Sequence, residues 1–141
     1  MNYAISYVST VNHDLDRSEV VEILYQTEMR NNSLGIHGLL IFSDGNFFEV
    51  IEGEKELVLE IFDSIKQDGR HCNVMTIFEK PVKENLFDPN DGYFISANTR
   101  YRKMRVENYY KCIKDLDEPT QKVVNQILTE FGKNSPSERD L

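Results

Sequence analysis

Two β-rich runs, Ile36 to Phe42 and Phe47 to Gly53, flank the polar stretch Ser43-Asp44-Gly45-Asn46. An Asp-Gly pair supports the positive φ angles of a tight hairpin turn, so the spacing predicts two antiparallel strands joined there. A period of two then places Phe47, Glu49 and Ile51 on one face of the second strand, and Phe48, Val50 and Glu52 on the other. Upstream, Asn2 to Thr10 alternates well enough for a first strand, with Tyr3, Ile5, Tyr7 and Ser9 sharing a face. Asp16-Arg-Ser-Glu19 has capping-box spacing and predicts a helix from near Asp16 to about Asn32, with Gly35 available to end it. Its inward stripe is Val20, Leu24 and Thr27, flanked by Val21 and Ile23.

After the hairpin, Val58, Ile61, Phe62 and Ile65 recur at helical spacing within Glu54 to Asp68, and Gly69 supplies a stop. Asn73 to Val82 and Gly92 to Ala97 read as two more strands, separated by the loop chemistry of Asn85 to Gly92. Asn108 to Asp115 predicts a short helix. Asp117-Glu-Pro119 opens another, with Val123, Val124, Ile127, Leu128 and Phe131 on its apolar side and Gly132 at its end. The order βαββαββ predicts an α+β, ferredoxin-like sheet with two helices on one face. The C-terminal helical pair would cover the second face or serve homo-oligomer formation. Residues 1–97 form the expected core, 98–132 a helical extension of the same domain, and 133–141 a flexible polar tail.

Composition narrows the class. A single domain of 141 residues buries roughly 68–70% of its unfolded surface and needs no covalent staple. Cys72 and Cys112 are isolated and lack metal-type spacing, which suits reduced thiols in a cytoplasmic protein. The N-terminus has no signal-peptide pattern, and no stretch approaches the ~18 apolar residues of a membrane span. The net charge of −8 is uneven, with four Lys/Arg against thirteen Asp/Glu in residues 1–69 and twelve against eleven in the rest. An acidic balance argues against nucleic acid as a partner. The basic run Arg100, Arg102, Lys103 and Arg105 has only Tyr101 interleaved and reads as a solvated surface.

Three polar residues stand out by position. Glu49 is flanked by apolar residues on its own face: buried there, its carboxyl must find a partner, take up a proton or sit beside a ligand, and at a sheet edge it would simply reach water. Asn31 follows Val20 by eleven residues, about three turns, which puts its amide in the apolar stripe, with Asn32 at the margin beside Val21 and Tyr25. The alternative is a pair of asparagines that caps the helix. Arg70 and His71 follow the second helix, where cations suit the dipole. Pairing and packing would bring Tyr7, Asn31 and Glu49 to one side of the sheet, an arrangement suited to a heteroaromatic ligand held by a few oriented hydrogen bonds. Thr10-Val-Asn-His-Asp-Leu lacks the Gly-rich basic loop of an acylphosphatase-type hydrolase. His13, His37 and His71 have no paired metal spacing, and neither cysteine has a base that sequence reveals.

Four separated motifs carry a resemblance: Ile5-Ser-Tyr7-Val-Ser9, Arg30-Asn-Asn-Ser-Leu-Gly-Ile-His-Gly-Leu-Leu40, Gly45-Asn-Phe-Phe-Glu-Val-Ile-Glu-Gly53 and Asp68-Gly-Arg-His71. In order and spacing, roughly over residues 1–97, the chain resembles the BLUF family of blue-light-sensing flavin domains. The resemblance implies a non-enzymatic sensory domain that binds FAD, or FMN, between its two main helices and signals through an unidentified protein partner. It implies that Tyr7 is the photochemical tyrosine, donating an electron and then a proton to the excited flavin, with Glu49 beside it. Asn31 would fix the flavin ring with Asn32 next to it, Ile23 and Leu24 would line the cofactor, and Arg70 with His71 would lie near the ribityl-phosphate end. Two departures stand out. Glu49 occupies the position of the family's glutamine, and Asn90 and Gly92 stand where its Trp and Met usually lie, in a chain with no tryptophan. A glutamine amide both donates and accepts, whereas an ionised carboxylate only accepts. The alternative reading is a light-inert BLUF-like interaction module.

Overall fold

The computed structural model describes residues 2–43, 45–82 and 94–98, together with helical positions 118, 119, 121, 122, 125, 126 and 129. In chain order the elements are β1 (Asn2–Val11), α1 (Arg17–Ser33), β2 (His37–Ser43), β3 (Asn46–Glu54), α2 (Lys55–Gln67), β4 (His71–Val82) and β5 (Phe94–Asn98). The strands form one sheet in the order β4-β1-β3-β2-β5. β3 runs antiparallel between β1 and β2, and β5 joins β2 in parallel. This is the expected ferredoxin-like arrangement with a fifth strand at the edge.

The turn at Gly45 sets the register of the central hairpin. Ser43 faces Asn46, and Gly45 takes φ +81°, which places Glu49 opposite Leu40 on β2 and opposite Tyr7 on β1. A second glycine is required at Gly38, where φ is +140° and an added Cβ would lie 1.9 Å from the Val50 carbonyl oxygen. β3 is therefore a central strand and not an edge. Its Glu49 face and its opposite face of Phe48, Val50 and Glu52 are both buried.

Asp16 caps α1 through a reciprocal box, accepting from the Glu19 amide at 2.9 Å while Glu19 Oε1 accepts from the Asp16 amide at 3.3 Å. The helix stops at Leu34, whose amide bonds to the Arg30 and Asn31 carbonyls, and Gly35 follows with φ +72°. α2 is amphipathic, burying Val58, Ile61, Phe62 and Ile65. Its end differs from the expected glycine stop: Gly69 is not left-handed, and the helix closes with the Asp68 amide on the Ile65 carbonyl. β4 begins at His71, two residues earlier than expected.

One core lies between the two helices and the sheet, built on Ile5, Tyr7, Phe47 and Ile51 from the strands, Ile23 from α1 and Phe62 and Ile65 from α2. β5 is fastened to α1 by two polar side chains. Asn32 Nδ2 donates to the Phe94 carbonyl at 3.0 Å, and its Oδ1 accepts from the Phe94 amide at 2.6 Å. One turn earlier, Glu28 Oε2 accepts from the Ser96 amide at 3.3 Å and from its hydroxyl at 2.7 Å. Farther on, Glu118, Pro119, Lys122, Asn125, Gln126 and Thr129 are helical and exposed, as the polar side of the expected final helix should be. The expected loop of residues 85–92, the basic run 100–105, the expected short helix 108–115, the apolar positions of the expected final helix and the tail 133–141 lie outside the described residues. Cys72 is a free, exposed thiol, while Cys112 is outside them.

Candidate functional site

Tyr7 and Glu49 are direct cross-strand partners on the helix-covered face, where antiparallel neighbours stand about 4.5–5.5 Å apart at Cβ. Register shifts in the β1–β4 ladder fall between Ser6 and Tyr7 and between Val8 and Thr10, so the strand is locally irregular on either side of Tyr7. The Tyr7 hydroxyl donates to Glu49 Oε1. Both side chains are about 1% exposed, and the Phe62 ring of α2 tilts against Tyr7 with centroids 5.6 Å apart.

This burial governs the electrostatics. Loss of hydration pushes the Glu49 carboxyl up to about 7, against the opposing pull of the Tyr7 hydrogen bond and the Arg30 charge. Burial, then the negative charge of Glu49, holds the Tyr7 hydroxyl well above its ordinary value. Asn31, fully buried in the last turn of α1, presents Oδ1 to Arg30 Nε at 3.0 Å. Its Nδ2 and Glu49 Oε2 are left buried without a hydrogen-bond partner. Buried polar atoms are ordinarily paired, so an orphaned amide donor and an orphaned carboxyl oxygen beside an apolar cluster fit a ligand with polar groups on an apolar ring.

Along the same face, the Ser9–Phe47 pair follows Tyr7–Glu49. His71 closes this row, its Nδ1 3.0 Å from Ser9 Oγ and its ring 4.8 Å from that of Phe47. Burial lowers the His71 imidazole below its usual value, favouring the neutral ring at pH 7. Arg70 forks onto Asp68, with contacts of 2.8–3.1 Å, and reaches Gln26 Oε1 at 3.2 Å. The pair stabilises both charges, lowering Asp68 and raising Arg70.

The structure thus pairs Tyr7 with Glu49 and buries Asn31, whose neighbour Arg30 contacts its amide and acts by charge on the pair. Ile23 lies in the core with Tyr7, while the Asn32 side chain is engaged elsewhere. Both ends of the Asn32 amide are occupied by the Phe94 backbone, because β5 passes along the side of α1 that carries Asn32. Leu24 belongs to the same buried cluster as Tyr7 and Ile23 and also lines a cavity of about 330 Å³ with Val11, Leu15, Val20 and Phe42. Sequence reasoning missed Arg30 and Asp68. Asp68 was signalled by its two-residue spacing from Arg70. Arg30 carried no comparable signal, since its effect runs through an adjacent amide.

A family profile described as sensors of blue-light using FAD matches residues 3–91. Photoactivated adenylate cyclase subunit alpha of Euglena gracilis is 31% identical over 83 residues, which is 59% of this chain and 8% of that protein. The chain therefore spans about a tenth of the length of such curated relatives. The solved structure of BlsA in its photo-activated state is 25% identical with a TM-score of 0.66, covering 91% of this chain and 95% of that one. Klebsiella pneumoniae BlrP1 with FMN and cyclic diGMP is 21% identical with a TM-score of 0.73, covering 94% of this chain and 36% of that one, and shows the shared fold.

Proposed function

Because the chain belongs to the family of sensors of blue-light using FAD, a family of flavin-binding blue-light sensors, we propose that Tyr7, Glu49 and Asn31 surround the flavin ring. The ribityl and phosphate end extends past Phe47 toward Arg70 and His71. The observation that carries this reading is the pair of orphaned polar atoms, Asn31 Nδ2 and Glu49 Oε2, both buried, the second on the carboxyl that Tyr7 bonds. The flavin is FAD, with FMN as the alternative that the BlrP1 complex suggests.

A bound flavin supplies absorption of blue light and a ring that accepts an electron and a proton. The chain's own residues supply the rest. Tyr7 holds a proton on its hydroxyl and shares it with Glu49 Oε1. Glu49, poised near pH 7, either accepts through a carboxylate or donates through a carboxylic acid. Asn31 donates through Nδ2, and Ile23, Phe62 and Ile65 exclude water. Arg70 serves an anionic phosphate by exchanging part of its fork on Asp68. Asn31 and Asn32 are consecutive, one in the pocket and one holding the Phe94 backbone, so a change at the ring is felt at β5 and leaves through a protein partner. The domain is the sensor module. The cyclase activity in the relative's name belongs to a protein of which the match covers 8%.

Titration with FAD, FMN and riboflavin tests the reading. The wild-type chain binds one of them, and Asn31→Ala weakens binding roughly tenfold by removing one ring-directed hydrogen bond. Equal affinities would remove Asn31 from the ring. The presence of Glu49 at the glutamine position favours a second reading, a flavin-loaded but light-inert interaction module. In that case Glu49→Gln confers a light response that the wild type lacks.

A further inference from the structure

Arg30 belongs to none of the roles assigned above, yet it touches one of the three residues that hold them and acts by its charge on the other two. Its Nε donates to Asn31 Oδ1 at 3.0 Å. That contact fixes the amide, because a half-turn about its axis would set an N–H donor against a guanidinium donor. Nδ2 is therefore the end left buried and unpaired. The positive charge of the same guanidinium acts on both members of the Tyr7–Glu49 pair. Among the described residues, the charged or titratable groups acting on Glu49 are Tyr7 from β1 and Arg30 from α1. α2 faces the pair with the Phe62 ring, Asp68 acts on Tyr7, and Arg70 is taken up by Asp68.

We propose that Arg30 is the positioning residue of this pocket: through Asn31 it turns an amide donor toward the ligand, and by its charge it favours a carboxylate acceptor on Glu49. The pocket then presents one donor and one acceptor, matching a ligand edge in which a carbonyl adjoins an N–H, as in an imide. The identity of that ligand rests on the flavin reading, whereas the linkage from Arg30 to Asn31 and Glu49 stands without it. After the Tyr7 hydrogen bond, the Arg30 charge offsets a further part of the desolvation that drives Glu49 upward.

The test is a carbon-13 NMR titration of Glu side-chain carboxyls in the flavin-free chain, with the Glu49 signal assigned by its loss in Glu49→Gln. The wild-type midpoint lies near 7. Arg30→Gln moves it upward by roughly half a pH unit or more, about threefold in proton affinity, and Arg30→Lys, which keeps the charge, returns it most of the way. Arg30→Ala serves as a second neutral variant if Arg30→Gln does not fold. A midpoint that is the same in wild type, Gln, Ala and Lys variants overturns the proposal. In parallel, Arg30→Gln weakens FAD binding roughly tenfold through the freed Asn31 amide, and unchanged affinity overturns the orienting half. A wild-type chain that binds no flavin defeats the flavin reading alone, and the NMR midpoints still decide the role of Arg30.

Discussion

Replacing Glu49 by Gln separates the carboxyl's charge from its shape. Glu49 titrates at about 7 in the fold and at 4.5 as a free side chain, a gap worth about 3 kcal/mol at roughly 1.4 kcal/mol per pH unit. The folded value is the higher one, so the folded chain holds the proton more tightly than the unfolded chain does. The resulting stabilisation is complete below about pH 4.5 and is lost as pH rises through about 7. Glu49→Gln never ionises and keeps a carbonyl oxygen for the Tyr7 hydroxyl. Its stability should therefore gain on the wild type from about pH 5 upward, reaching about 3 kcal/mol near pH 8. Urea unfolding of both flavin-free chains, followed by far-UV circular dichroism, reads this as a widening gap between midpoints of about 1–3 M. His71 and Asp68 titrate in both chains, so the comparison isolates position 49. A gap that stays constant from about pH 5 to pH 8 would refute the claim that a buried, ionisable carboxyl sits beside Tyr7.

Gly38→Ala drives a methyl group into the Val50 carbonyl at an unfavourable backbone angle, and should cost about 3 kcal/mol or more in urea unfolding. A loss under about 1 kcal/mol would mean that the β2–β3 register is not as described. Asn32→Ala removes both bonds to the Phe94 backbone, so amide hydrogen exchange in β5 should quicken by roughly tenfold or more while that of β1 and β3 changes little. Uniform exchange across the sheet would contradict a local latch. Asp16→Ala deletes the capping box of α1 and should lower stability by about 1 kcal/mol, read as a reduced urea midpoint at unchanged slope.

The hairpin was legible in the sequence because its information is local: an Asp-Gly turn fixes the register, and the period of two then assigns every face. The pairing of Tyr7 with Glu49 and the burial of Asn31 followed from the same periodicities, and the four spaced motifs pointed to the family. Longer-range features were not legible. Asn32 and Phe94 are 62 residues apart, and no local pattern says that the second asparagine serves a strand while the first serves a pocket. Gly69 resembled a helix stop, yet the Asp68 amide closes that end of α2 on the Ile65 carbonyl and leaves Gly69 without a left-handed role. Arg30 acts through its neighbour's amide and through space, which residue type and spacing do not encode.

The most direct test of the account is the visible absorption spectrum of the purified chain, reconstituted with flavin where necessary, in the dark and under blue light. The account predicts a flavin spectrum with a small red shift that reverses in the dark. A flavin band unmoved by light would contradict the sensor function and leave the light-inert module, and a colourless protein that refuses FAD, FMN and riboflavin would contradict the flavin pocket itself.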